Sequence, residues 1–146
     1  MIELLQNSNK KLFLFDTFFG VPENSKTEKT EDFNVQHNFK GYSYETVREL
    51  FKKNQNVEII KGNIEHTLNI IRNKISFSHI DLNYFNSTLY TLKYIYEVTQ
   101  KNGIILIDDY GFDEYKDTIK RAVDEFSELK KIKIYPVETG QCIIFK

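Results

Sequence analysis

Residues 77–111, FSHIDLNYFNSTLYTLKYIYEVTQKNGIILIDDYG, decide the fold. An apolar run ends at Asp81, and a helical pattern follows over roughly Ser87 to Lys101, about four turns at 1.5 Å per residue. A second apolar run, Gly103 to Ile107, ends at Asp108-Asp109. Strand, helix, strand with a right-handed crossover makes the two strands parallel and puts both carboxyl ends on one edge of the sheet. Open α/β sheets bind their ligands at that edge. Asp81, Asp108 and Asp109 converging there give a hard, oxygen-rich, negative site suited to a divalent cation such as Mg²⁺.

The flanking chain repeats the alternation. Lys11 to Phe15 (KLFLF) reads as a buried parallel strand ending at Asp16. Met1 to Asn9 reads as the last turns of a helix carrying Ile2, Leu4 and Leu5. After Gly20 and Pro22 a polar loop runs to about Gly41, a length that in compact domains marks a functional or mobile segment. Ser43 suits the N-cap of a helix from about Tyr44 to Asn54, with Val47, Leu50 and Phe51 on one face. Asn56 to Ile60 is a third strand, closed by Gly62, and Ile64 to Arg72 a helix with Leu68 and Ile71 inward. Asp113 caps a charged helix, about Glu114 to Leu129, striped by Ile119, Val123 and Phe126. Lys131 to Val137 and Gln141 to Phe145 suit an antiparallel hairpin turning at Glu138-Thr139-Gly140.

A length of 146 residues predicts one domain able to build a core without disulfides. Twenty basic and 21 acidic residues nearly cancel, which gives no electrostatic argument for nucleic acid or an anionic membrane. No apolar run approaches the ~20 residues of a membrane span, and the first residues lack a signal-peptide pattern, so the expected compartment is the cytoplasm. Cys142 is the one cysteine and reads as a small buried apolar residue.

A helical start, alternating strands and helices and a terminal hairpin form the pattern of class I methyltransferases that use S-adenosylmethionine. Four stretches make the likeness specific: LFDTFFGVP at 14–22, IDLNYFNSTLYTL at 80–92, GIILIDDYG at 103–111 and RAVDEF at 121–126. In this order, over nearly the whole chain, they resemble the macrocin O-methyltransferase (TylF-like) family of sugar O-methyltransferases. The resemblance implies a Rossmann-like α/β sheet, mostly parallel, with a C-terminal antiparallel hairpin. It implies S-adenosylmethionine and Mg²⁺ as cofactors and a sugar or glycoside as substrate, in antibiotic-sugar or surface-glycan tailoring. Metal ligation falls to Asp81, Asp108 and Asp109, and Asp81 also borders the cofactor. Asp16 is implied to hold the ribose hydroxyls, Gly62-Asn63-Ile64 to flank the adenine, and His37 to act as base.

The chain departs from the family pattern twice. Where the family commonly reads Asp-Gly-Asp, this sequence reads Asp81-Leu82-Asn83, so one carboxylate is an amide. An earlier strand with an acidic, glycine-rich turn is absent from the sequence, whose first glycine is Gly20. That strand would lie between those ending at Asp16 and Asp81, so the chain reads as a single partial, N-terminally shortened methyltransferase domain. Three outcomes stay open: the two flanking strands pair directly into a six-stranded sheet, their edges recruit a partner or second copy, or the chain is a non-catalytic remnant. Simpler readings stand beside the functional ones. Asp108-Asp109 can cap a turn, His37 can be a loop residue, and Asn63 can be an N-cap. His66 and His79 carry no motif and read as structural, and Tyr84, Phe85, Tyr90, Tyr94 and Tyr96 as packing residues.

Overall fold

The computed structural model describes residues 9–20 and 41–146. Strand β1 (Leu12–Asp16) pairs in parallel with β2 (Val57–Lys61), Leu12 opposite Val57 and Asp16 opposite Lys61. The connection includes helix α1 (Tyr44–Phe51), whose cap is Ser43: its Oγ accepts from the Thr46 amide at 3.1 Å. The expected apolar face of α1 is not covered. None of its residues is buried and Leu50 is 73% exposed, because the helix lies beside the margin of a sheet that is two strands wide among the described residues.

Helix α2 (Ile64–Thr67) runs on into a 3-10 turn, Leu68–Ile70, and stops before the expected Arg72 because Ile71 turns extended. Leu68 and Ile71 face inward as expected. Strand β3 (Ile75–Ile80), helix α3 (Phe85–Val98) and strand β4 (Thr99–Ile107) form the central parallel unit, Phe77 opposite Ile104 and Ile80 opposite Ile107. The helix begins and ends earlier than its apolar pattern suggests. Thr99 caps its last turn, Oγ1 donating to the Ile95 carbonyl at 2.7 Å, and the chain enters β4 at once.

The charged helix is not one helix. A 3-10 turn (Asp113–Tyr115) and a π turn (Lys116–Lys120) precede α4 (Arg121–Lys130), and Asp113 does not serve as its cap. Its stripe is as expected: Ile119, Val123 and Phe126 are buried. Burying a side chain such as Phe126 stabilises by about 1.5–3 kcal/mol. Strands β5 (Tyr135–Pro136) and β6 (Cys142–Phe145) close the hairpin, giving the order β3-β4-β6-β5 with β6 antiparallel to both neighbours.

Two features follow from the register. Ile80, Ile105, Ile107, Cys142 and Ile144 lie on one face of the four-stranded sheet, buried under Leu92, Ile95, Val123 and Phe126 of α3 and α4. On the opposite face Phe77, Ile104, Leu106, Ile143, Phe145 and Tyr135 are half-buried or exposed, although sheets with parallel strands usually cover both faces. The second feature is a break in the sheet. β1 and β3 belong to separate sheets, so direct pairing into six strands does not occur. Helix α2 touches both β1 and α3 and joins the two parts through side chains rather than a backbone ladder.

Candidate functional site

Because Ile80 and Ile107 are register partners, the residues after them emerge side by side: Asp81 from β3, Asp108 and Asp109 from β4. The ladder continues one step further, with the Asp108 amide donating to the Ile80 carbonyl at 2.9 Å. The chain then turns sharply. Asp109 has φ 61°, a left-handed conformation uncommon for a non-glycine residue, and its amide donates to Asp108 Oδ1 at 3.1 Å. Gly111 donates to the Gly140 carbonyl at 2.7 Å, and a Cβ on Gly111 would lie 3.0 Å from Gly140 Cα, so a side chain here would push the two backbones apart by a few tenths of an ångström.

The three carboxylates are electrostatic neighbours. Burial and then the charge of Asp108 raise the Asp81 carboxyl above its ordinary range, partly opposed by His79. Burial and the charges of Asp108, Asp81 and Glu114 raise Asp109, against a lowering hydrogen bond from Tyr115. The Tyr115 hydroxyl is pushed up to about 12, first by burial and then by Asp109. His79 Nε2 lies 3.4 Å from Asp108 Oδ2. This crowding of like charge is what a divalent cation would relieve. The donor chemistry, all carboxylate oxygen, fits Mg²⁺. Among the described residues no three His, Cys, Asp or Glu side chains already close on one point at ligand distance. The carboxylates are thus gathered on one rim, not assembled into a finished cage.

The other expected site residues fare unequally. Asp16 ends β1 and is exposed, and one of its oxygens is engaged: Oδ1 accepts from the Phe18 amide at 2.6 Å, in a turn where Phe18 has φ 58°. Gly62, with φ 144°, follows β2, and its amide donates to the Asp16 carbonyl at 2.9 Å, so these two strand ends adjoin. Asn63 caps α2, Oδ1 accepting from the Glu65 amide at 2.9 Å; the capping reading therefore describes it, beside any ligand role. Ile64 is half-buried and packs against the core. His37 lies outside the described residues. Cys142 is fully buried and its thiol is pushed up to about 12 by burial, as expected of a packing residue. The aromatic residues of α3 pack or bind backbone, Tyr94 donating to the Ile71 carbonyl at 2.9 Å and Tyr90 to that of Glu65 at 3.0 Å.

Three members of the rim were not legible as such. His79 stands two residues before Asp81, and the alternation of β3 alone does not reveal that it faces Asp108 across the ladder. Glu114 and Tyr115 reach Asp109 only because the segment after Gly111 folds as a 3-10 turn instead of the first turn of a long helix. Their signal was the unusually tight spacing of acids and aromatics over Asp108–Tyr115.

Comparison with known proteins agrees with this architecture. The profile of the macrocin-O-methyltransferase (TylF) family matches residues 1–142, and the chain belongs to that family. No curated protein sequence matches. Among solved structures, the O-methyltransferase NovP superposes with a TM-score of 0.83 at 18% identity, over 99% of this chain and 63% of NovP. CalS11, a calicheamicin methyltransferase, gives 0.76 at 15% identity, over 99% of this chain and 65% of its own. The SAH-bound methyltransferase PaMTH1 of Podospora anserina gives 0.56 at 19% identity, over 99% and 75%. The fold is thus that of class I methyltransferases, and the chain spans under two thirds of the first two structures.

Proposed function

We propose that this member of the macrocin O-methyltransferase family serves transfer of a methyl group from S-adenosylmethionine to a hydroxyl of a sugar or glycoside. The observation that carries the reading is the meeting of Asp81, Asp108 and Asp109 at the carboxyl ends of two register-paired strands. These three side chains would hold Mg²⁺. A cation held by them would supply Lewis-acid activation of the acceptor hydroxyl. Asp16 would accept the ribose hydroxyls through the carboxylate oxygen that Phe18 leaves open, and Gly62, Asn63 and Ile64 would border the adenine. His37 is the residue we assign to take the hydroxyl proton. The crowding of like charge on the rim supports cation binding, and the family and its calicheamicin-related neighbour support a tailoring role in antibiotic or surface glycans. Cytoplasmic residence fits this chemistry; no helix among the described residues is long and apolar enough to cross a membrane. We infer small-molecule partners, not nucleic acid.

A second reading is favoured by the break between β1 and β3 and by the sheet face bearing Phe77 and Leu106, which no described element covers fully. In it the described fold is a part whose methyl-donor site is completed by a further polypeptide strand. Unpaired edges of this kind accept an added strand readily. Calorimetry of the purified chain with S-adenosylmethionine and Mg²⁺ separates the readings. Micromolar binding by the chain alone supports the complete site. Metal binding without cofactor binding supports the part that needs completion, and absence of both contradicts the methyltransferase site.

A further inference from the structure

We propose that Tyr110, clamped by Asp124 and Lys120, is a positioning residue that sets the direction of the Asp108 and Asp109 carboxylates. The proposal rests on the metal-site reading above for its functional consequence, and on geometry alone for its mechanical part.

Asp109 holds a left-handed backbone at φ 61°, a conformation that Asp adopts more readily than most residues but that still costs more than the ordinary helical or extended one, so contacts that hold the turn matter. The next residue supplies that restraint. Tyr110 is only 7% exposed, and its hydroxyl donates to Asp124 Oδ1 at 2.8 Å. Lys120 Nζ donates to the Tyr110 oxygen at 3.0 Å and to Asp124 Oδ2 at 2.8 Å, closing a triangle across the start of α4. The same ammonium lies 4.6 Å from the centre of the Tyr110 ring. The side chain of residue 110 is therefore held on both its ring face and its hydroxyl by the helix that buries Val123 and Phe126 in the core. On the other flank of the turn, Asp108 is fixed to Ile80 through its amide and Gly111 to Gly140. Between these backbone ties Tyr110 is the side chain that anchors the turn in the core, so it fixes the backbone from which Asp108 and the left-handed Asp109 project. The bonds from the Asp109 amide to Asp108 and from Tyr115 to Asp109 then act on carboxyls already placed. Asp124 and Lys120 are partly exposed to solvent, and the contacts they make inside this turn are with each other and with the hydroxyl of Tyr110.

Tyr110→Phe removes the hydroxyl and keeps the ring, and Asp124→Asn keeps the shape and removes the charge. Amide hydrogen exchange and isothermal titration with Mn²⁺, or Mg²⁺, read the result. Both variants are expected to exchange the Asp108 and Gly111 amides at least tenfold faster while Leu92 and Ile105 stay as in the parent. Metal affinity is expected to fall 10–100-fold, the usual effect of losing a group that orients a ligand. A purely structural role would instead speed exchange throughout the core and lower the melting temperature in proportion. Unchanged turn amides in both variants overturn the proposal. A parent chain that binds no metal overturns the metal-site reading, while the exchange measurement still decides whether Tyr110 holds the turn.

Discussion

The amide of Gly111 donates to the carbonyl of Gly140 at 2.7 Å, which ties the turn carrying Asp108 and Asp109 to the hairpin between β5 and β6. The tie makes the acidic rim dependent on a hairpin far along the chain. Gly111→Ala would press its Cβ to 3.0 Å from Gly140 Cα, backbone against backbone, with no flexible side chain to yield. The variant is expected to lose about 1–3 kcal/mol, seen as a lower denaturation midpoint in urea at an unchanged slope.

Gly140 is constrained twice. Its φ of 89° disfavours any side chain, and a Cβ there would sit 2.7 Å from the Phe112 ring. Gly140→Ala is expected to destabilise, and Phe112→Ala in the same chain to recover part of the loss by removing the ring. Equal midpoints for the single and double variants would assign the whole cost to backbone strain.

Alkaline pH should unfold the chain early. The Cys142 thiol, near 8.5 when unfolded, is pushed up to about 12 in the fold by burial. Between those values the folded chain keeps a proton that the unfolded chain has released, so stability falls as pH rises through the interval. Lys120, raised to about 12 by its bonds to Asp124 and Tyr110, acts in the same direction above 10.5. Denaturant midpoints measured from pH 8 to pH 11 should decline, and less steeply in Cys142→Ala. At pH 8 the native thiol should resist a thiol reagent that modifies the unfolded chain at once.

Thr91 is buried on α3 and its hydroxyl has no hydrogen-bond partner among the described residues. Removing an unsatisfied buried hydroxyl while keeping the branched shape relieves a desolvation cost of about 1–3 kcal/mol. Thr91→Val is therefore expected to raise the melting temperature. A clear fall would mean that a bound water satisfies the hydroxyl.

The central unit was legible because its signals agree: an apolar strand, a helical stripe and a second apolar strand leave only one handed solution, and Asp81, Asp108 and Asp109 land together. The stripe of Ile119, Val123 and Phe126 was equally plain. What the sequence hid is what depends on neighbours. The apolar residues of α1 predicted burial, yet Leu50 is exposed because no second layer of described residues lies over it. Asp113 had the chemistry of an N-cap, but the 3-10 and π turns before Arg121 claim that segment and bring Tyr115 to Asp109. The separation of β1 from β3 is a matter of spacing, which pattern does not encode.

The convergence of Asp81, Asp108 and Asp109 to hold a divalent cation is tested most directly by thermal unfolding with and without 10 mM Mg²⁺, in the parent chain and in Asp108→Asn. For a dissociation constant near 1 mM, linkage gives about 1.4 kcal/mol of added stability, hence a melting temperature higher by a few degrees in the parent and unmoved in the variant. The same small shift in both chains, or none in either, would contradict the metal site.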